Sequence, residues 1–314
     1  MKRIAVTGAT GYVGKILIDR LMFSGEIEHI LAVDISKPPT LSGEKVSFIQ
    51  QDISKPFSQL FSEHQIDTVI HLAYVLRQDR NRETNRKINV GGTKNTIDAC
   101  SRSGVRRLIY LSSTTVYGAH ANNPDLFTEE SPVRPIDGFH YSEDKVLSEN
   151  LINEFSKQSF PGTTCILRSC PVMGPSSANF VSRAFDKPFL VSVSGTNNPM
   201  QFIHENDVAR ALLLSIFSKV NGIFNIAGSG SITWFQMANM LNRRVLPLPK
   251  WFLYPVTQLA WTLRLQSDSP SAGLNFIRYP WLADTTRVER VLGFRPDYSS
   301  KEAWEAYANR LKAS

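Results

Sequence analysis

The chain is expected to fold as a doubly wound parallel α/β sheet with a small, mainly helical C-terminal cap. Two observations predict this. Over its first two thirds, short apolar runs rich in β-branched residues alternate with longer helical segments, and such alternation implies a parallel sheet covered on both faces. The first of these runs leads directly into Gly8, Gly11 and Gly14 of TGATGYVG (Thr7–Gly14), the glycine spacing of a turn that admits a phosphate at a helix N-terminus.

In order, RIAVTG, HILAVDI, KVSFIQQDI, DTVIHLA, RRLIYLSS and TTCILRSC read as strands. Val13–Ser24, Ile88–Ser101 and Ser142–Phe155 read as helices between them. Right-handed crossovers then give the doubly wound arrangement. After about Leu167 the segments shorten, and Pro171, Gly174, Pro175, Pro188, Gly195 and Pro199 crowd together. Gln201–Ile203 leading into a helix at Asn206–Ser218, and Gly222–Ala227, look like returns to the main sheet. Thr233–Leu241, Thr285–Leu292 and Lys301–Leu311 read as cap helices. The expected division is a nucleotide-binding domain over 1–170 with parts of 201–228, and a substrate cap over 171–200 and 229–314.

Hydrophobic content of 42% and charged content of 20% are ordinary for a soluble domain. The net charge of +7 is scattered, with RNRETNRK (Arg80–Lys87) the densest cluster, expected on a solvated helix face. No nucleic-acid partner is expected from it. Cys100, Cys165 and Cys170 form no CxxC pair and are expected to be reduced core thiols of a cytoplasmic protein. MKRIAVTGATG enters a strand and a glycine turn and does not read as a signal peptide. The aromatic stretch Trp251–Leu265 is interrupted by Pro255 and Gln258 and is shorter than the about 20 residues a membrane span needs. Ordinary packing is the first expectation for it; an exposed amphipathic helix, a substrate lid and a subunit contact stay open.

The motifs point to hydride chemistry. In the glycine turn, one glycine permits the tight turn, one lets backbone approach a pyrophosphate, and one lets helix and strand pack closely. Asp34, ending HILAVD, is placed to bind the adenosine ribose hydroxyls and to repel a 2′-phosphate, which favours NAD. Its alternative is a turn cap. Asp52 is placed to meet the adenine, or else caps its own loop. Tyr141 and Lys145 lie four apart in YSEDK and share a helix face. A phenol with a pKa near 10 needs a neighbouring positive charge to serve as a base. Ser113 can orient the reacting oxygen, with Ser112 as the neighbouring alternative. Neither His71 nor His204 has a partner at ligand spacing, and no metal site is expected.

With these residues in hand, the chain resembles the extended short-chain dehydrogenase/reductases, the NAD-dependent epimerase/dehydratase family with its Rossmann-type sheet. TGATGYVG, including Tyr12 and Val13, matches the family's glycine signature, and Asp52-Ile53 its adenine contact. His71-Leu72-Ala73, followed by Tyr74, matches the segment beside the nicotinamide. Asn89 stands in the family's N-V-x-G-T. Ser113, Tyr141 and Lys145 fall on its catalytic Ser/Thr and Y-x-x-x-K. Leu167–Pro175, containing Cys170, matches the segment where the cofactor half meets the substrate half. The resemblance implies that Tyr141 is the general acid/base, that Lys145 lowers its pKa and holds the nicotinamide ribose, and that NAD is the cofactor. It also implies a homodimer built on the helices that carry Asn89–Cys100 and Tyr141–Phe155.

Several positions depart from the family. Dehydratases resemble T-D-E before V-Y-G, where this chain has Ser113, Thr114 and Thr115, so 4,6-dehydration is not expected. Pro171 replaces the Asn usual in sugar-nucleotide epimerases, and Met200 stands where an Arg grips a diphosphate. A second such Arg has no match near Gly273 and Leu274; Arg278 and Arg183 are candidates to replace it. Ser113, Thr114, Pro171 and Met200 are therefore the expected substrate contacts. The substrate is a small molecule of one of two classes: a nucleotide sugar or sugar-like alcohol, epimerised or oxidised, or an apolar, 3β-hydroxysteroid-like alcohol or ketone. A non-catalytic NAD-binding regulator is the reading of another class.

Overall fold

The apolar runs become strands because turn residues bound them and amphipathic helices cover both faces. The computed structural model describes all residues except 38–42, 77–81, 159, 178, 186, 188, 267 and 314. The chain begins with β1 (Lys2–Thr7), α1 (Tyr12–Met22), β2 (Ile27–Asp34), β3 (Val46–Gln50), a short α2 (Leu60–Glu63) and β4 (Thr68–His71). Next come α3 (Arg82–Arg86), a π-helical turn at Lys87–Gly91, α4 (Gly92–Ser101), β5 (Arg107–Ser113), a 3-10 turn at Thr114–Tyr117 and α5 (His140–Gln158).

Beyond β6 (Thr163–Ser169) the elements shorten to β7 (Val172–Met173), α6 (Phe180–Ala184), β8 (Phe189–Val193), β9 (Pro199–Met200) and β10 (Ile203–His204). α7 (Glu205–Phe217) and β11 (Gly222–Ile226) return to the main sheet. The remainder holds β12 (Ile232–Thr233), α8 (Trp234–Met240), β13 (Arg244–Leu248), α9 (Lys250–Thr262), α10 (Asn275–Arg278), α11 (Thr286–Leu292) and α12 (Ser300–Ala313).

Seven parallel strands form the main sheet in the order β11-β6-β5-β4-β1-β2-β3. The order reverses between β1 and β4, and ligands of such sheets bind where the carboxyl ends of strands flank that switch. Alternate residues feed two cores. Ile4, Val6, Ile30, Ala32 and Leu167 meet Leu17, Ile18 and Leu21 of α1 and Val208 and Leu212 of α7. Ala5, Leu31, Val33, Leu108, Tyr110 and Ile166 meet Ile97 and Cys100 of α4 and Ile152 of α5. All three cysteines are free and buried.

Five expectations need amendment, the last of them the aromatic stretch. β10 pairs with β7 alone, through Ile203↔Val172 and His204↔Met173, so of the two expected returns only β11 joins the main sheet. Val288, Leu292 and Phe294, expected in the cap, pack in the core on the α1 side of the sheet. Val116, Tyr117, Phe127 and Phe139, expected in the first domain, pack with Trp234, Phe276, Trp281 and Trp304 in the cap core. The basic cluster is only partly solvated: Arg82 and Arg86 of α3 bind Glu143 and Asp144 of α5 at 2.6 and 3.1 Å, fastening α3 onto α5. Arg80 and Asn81 lie outside the described residues.

The aromatic stretch is not ordinary packing. It forms α9, in which only Leu253 is buried, while Trp251, Phe252, Val256, Leu259, Leu263 and Leu265 are exposed.

Candidate active site

A cavity of about 200 Å³ opens at the switch between β1 and β4, running from the glycine turn to the start of α5. Its lining includes Gly8, Gly11, Tyr12, Val13 and Gly14 at one end, and Leu111, Ser113, Phe139, Tyr141 and Lys145 at the other. Between and beyond them lie Leu72, Tyr74, Leu76, Cys170, Pro171, Val172, Asn179 and Asp268.

The glycine turn fits a dinucleotide. Gly8 adopts φ +73°, and a Cβ there would lie 2.5 Å from the Ala73 backbone nitrogen. At Gly14 a Cβ would lie 2.2 Å from the Gly8 carbonyl oxygen, so α1 can pack this close to β1 only without a side chain. Gly11 caps α1 and offers no side-chain acceptor to its first amides. Those amides, with the positive end of the helix dipole, suit a pyrophosphate. The Tyr12 hydroxyl donates to Glu205, which also accepts from the Ser176 amide at 3.1 Å and so ties α1 to α7.

The other expected cofactor residues divide into two groups. Leu72, Tyr74 and Cys170 line the cavity, but Asp34, Asp52, Ile53, Ala73 and Asn89 do not. Asp34 stands at the end of β2 and accepts from the Thr10 and Ser36 amides at 3.0 and 3.1 Å, so it also braces the glycine turn. Asp52 accepts from the Ser54 amide at 2.9 Å, the loop-cap arrangement. Burial opposes its ionisation, yet the Ser54 hydrogen bonds and the Lys55 and Lys87 charges hold its carboxyl below the usual range. Ile53 is buried against Gly92, where any Cβ would meet its side chain at 2.4 Å. Asn89, in the π-helical turn, accepts from the Val75 amide at 2.8 Å. It thereby fixes the segment that carries Tyr74. His71 is clamped between the Thr7 and Thr93 hydroxyls at 2.7 and 3.1 Å. Among the described residues, no group of His, Cys, Asp and Glu could hold a metal ion.

Ser113, Tyr141 and Lys145 come together because β5 ends where α5 begins. Ser113 accepts from the Thr115 amide at 3.3 Å and the Thr115 hydroxyl at 3.0 Å. Its own proton is thus left to point elsewhere, and its side chain acts on the nearby Tyr141 phenol. Ser112 faces the other way and donates to Glu149. Period-two alternation separates the two serines.

Lys145 is placed differently from expectation. Its ammonium donates to the Leu111 carbonyl at 2.7 Å and lies 3.8 Å over the Tyr74 ring, but 6.0 Å from the centre of the Tyr141 ring. Burial lowers its pKa to about 7, with Glu149 opposing the shift. Burial pushes the Tyr141 phenol up to about 12, opposed by the Ser113 hydrogen bond. The expected lowering of the phenol by Lys145 is absent from this arrangement, because desolvation outweighs a weakened and displaced charge. The Tyr141 oxygen is held protonated.

The expected substrate residues fare unevenly. Ser113 and Pro171 line the cavity. Thr114 is fully buried and donates toward the Ser169 carbonyl at 3.5 Å. Met200 is buried in the cap core and does not reach the cavity. Arg278 stacks over Tyr279 and Tyr254, with its guanidinium carbon 4.6 and 5.9 Å from the ring centres. Neither it nor Arg183 lines the cavity, so among the described residues Lys145 is the only cation there. Phe139, Leu76, Val172, Asn179 and Asp268 escaped the sequence reading. Phe139 directly precedes α5 and could have been found from that position; Asp268 arrives from a distant loop.

The family model for the NAD dependent epimerase/dehydratase family matches residues 4–227. Short-chain dehydrogenase/reductase family 42E member 1 of Xenopus laevis is 30% identical over 230 residues, covering 68% of this chain and 58% of that protein. An uncharacterised protein of Mycobacterium bovis is 26% identical over 98% of this chain and 83% of its own length. Among solved structures, MoeE5 in complex with UDP-glucuronic acid and NAD shares the fold with a TM-score of 0.77, 22% identity and 99% coverage of both chains. UDP-glucose 4-epimerase from Thermotoga maritima, solved with UDP-glucose, does so with a TM-score of 0.76, 20% identity and the same coverage. The glycine cradle, the strand order and the matched span agree: the chain belongs to the NAD dependent epimerase/dehydratase family.

Proposed function

We propose that this protein is an NAD-linked oxidoreductase that interconverts an uncharged, largely apolar alcohol and its ketone. The observation that carries this reading is the cavity wall beyond Tyr141. Phe139, Leu76, Pro171 and Val172 line it, and among the described residues no arginine does. A nucleotide diphosphate held without bidentate arginines would lose its charge-assisted hydrogen bonds.

When bound, NAD supplies the acceptor or donor of the hydride at the substrate carbon. The first-turn amides of α1 would hold its phosphates, and Asp34 would hold its adenosine ribose. Tyr141 gives its proton to the ketone oxygen in reduction and takes it back in oxidation. Ser113 hydrogen-bonds the same oxygen and orients it. Lys145, anchored on the Leu111 carbonyl, fixes the floor beneath Tyr74 and exchanges protons near neutrality. The protein is proposed to act as a homodimer through α4 and α5.

A second reading, epimerisation of a nucleotide sugar with retained cofactor, is supported by the UDP-sugars bound in MoeE5 and the Thermotoga maritima epimerase. One experiment separates the two. Thermal shift and NADH oxidation are measured with apolar cyclic ketones and with UDP- and dTDP-sugars. Turnover of a ketone with free cofactor exchange is expected. Stabilisation by a nucleotide sugar alone, with NAD retained through purification, would overturn the first reading. Undiminished turnover by Tyr141→Phe would overturn the mechanism.

A further inference from the structure

α9 turns the usual amphipathic rule outward. On a helical wheel its inner arc carries Leu253, Tyr254, Thr257, Ala260 and Trp261, which are buried or half-buried. Its outer arc carries Trp251, Phe252, Pro255, Val256, Leu259 and Leu263, all exposed, with only Gln258 and Thr262 as polar members. Phe252, Val256, Leu259 and Leu263 fall at i, i+4, i+7 and i+11, a single stripe along the helix. Trp251 is 75% exposed and Leu265, just past the helix, 76%. Soluble proteins rarely leave such a contiguous apolar face uncovered.

The sequence leading through this helix is one-sided in charge. Residues 208–267 contain no Asp or Glu, although the whole chain has 28 acidic residues in 314. Of the six basic residues in that stretch only Lys250 and Arg264 belong to α9 or its end; Arg210 lies on α7, paired with Asp207 and Asp297, and Asp268, the next residue after the stretch, pairs with Lys187. Lys250 and Arg264 are exposed and bracket the stripe at its two ends. Among the described residues no helix is long and apolar enough to cross a membrane. A short helix with large apolar side chains outward and cations at both ends suits the plane of a membrane surface, where Trp and Phe enter the headgroup boundary and Lys and Arg meet anionic lipid.

We propose that α9 docks the protein flat onto an anionic phospholipid bilayer. α9 is joined to the cavity through the loop that follows it. Gln266 donates to the Ser269 carbonyl at 2.7 Å, and the Ser271 hydroxyl donates to Gln258 at 3.0 Å. These bonds fasten α9 to the loop that brings Asp268 to the cavity wall.

The test is vesicle co-flotation of the full chain, which does not depend on knowing the substrate. Vesicles of phosphatidylcholine alone are compared with vesicles containing about one third phosphatidylserine, at low and high salt. The intact protein is expected to float with the anionic vesicles and to bind roughly tenfold less to neutral ones or at high salt. Phe252→Ser/Leu259→Ser and, separately, Lys250→Glu/Arg264→Glu are each expected to reduce flotation at least about tenfold, with thermal melting and NAD binding unchanged. An intact protein that stays in solution with both vesicles overturns the proposal, as do variants that float equally well. A serine variant that converts dimer to monomer, with no vesicle binding by the parent, assigns the face to a second copy of the chain instead.

Discussion

Two buried cations, one held by α5 and one carried on it, behave in opposite ways. Arg168 on β6 meets Glu149 through Nη2 at 2.7 Å and Nε at 3.1 Å, and donates to the Tyr117 hydroxyl at 2.9 Å. Tyr117 donates in turn to Asn225 at 2.8 Å, which links β11 to the network. Burial alone would lower the pKa of Arg168, but Glu149 wins, and it rises. Lys145, one helical turn before Glu149, has only a carbonyl and aromatic faces around its ammonium. There burial wins, and the pKa falls to about 7. A bidentate carboxylate makes a fixed structural charge, whereas a carbonyl leaves a charge that can come and go. One network holds the sheet to the cap; the other leaves a proton available beside Tyr141.

Breaking the Arg168 network should give the largest effect. Glu149→Leu strands a buried guanidinium and is expected to cost about 3–5 kcal/mol of stability, read as a lower urea midpoint. A loss below about 1 kcal/mol would show that Arg168 is solvated after all. Tyr141→Phe attacks the other site: turnover should fall by about 10²–10⁴ with melting temperature unchanged.

Lys145→Met sharpens the contrast through pH. In the folded chain Lys145 releases its proton near pH 7, whereas an unfolded Lys keeps it to about 10.4. Its burial therefore costs most below pH 7, and the cost disappears as pH rises from 7 toward 10. The Met variant should be more stable than the parent at pH 6, by at most about 5 kcal/mol, with the difference vanishing near pH 10. Equal stability at both pH values would mean that the ammonium is not desolvated. The smallest effects separate the two serines. Ser112→Ala should lower stability by about 1 kcal/mol through its lost bond to Glu149 and spare turnover, whereas Ser113→Ala should lower turnover about tenfold and spare stability.

Much of the sheet was legible because its signals are local. TGATGYVG announces a strand, a turn and a helix within eight residues, and each apolar run bounded by turn residues formed its strand. Spacing also brought Tyr141 and Lys145 onto one face of α5. What spacing could not convey was the environment. Tyr74, Tyr110 and the Leu111 carbonyl surround Lys145, and they come from β5 and the loop after β4. The direction of both pKa shifts follows from that enclosure. Met200 illustrates the same limit. A family position suggested a substrate contact, but β9 pairs with β12 and places its side chain in the cap core.

By itself, then, the sequence determined the doubly wound sheet, the glycine cradle and the placing of Tyr141 and Lys145 on one helix, because periodicity and turn chemistry act between near neighbours. Only the tertiary structure decided which serine faces Tyr141, that Lys145 sits under Tyr74, and which apolar residues line the cavity. It also decided that α9 turns its aromatic face outward. Burial is a property of everything packed around a residue, and those neighbours come from distant parts of the chain.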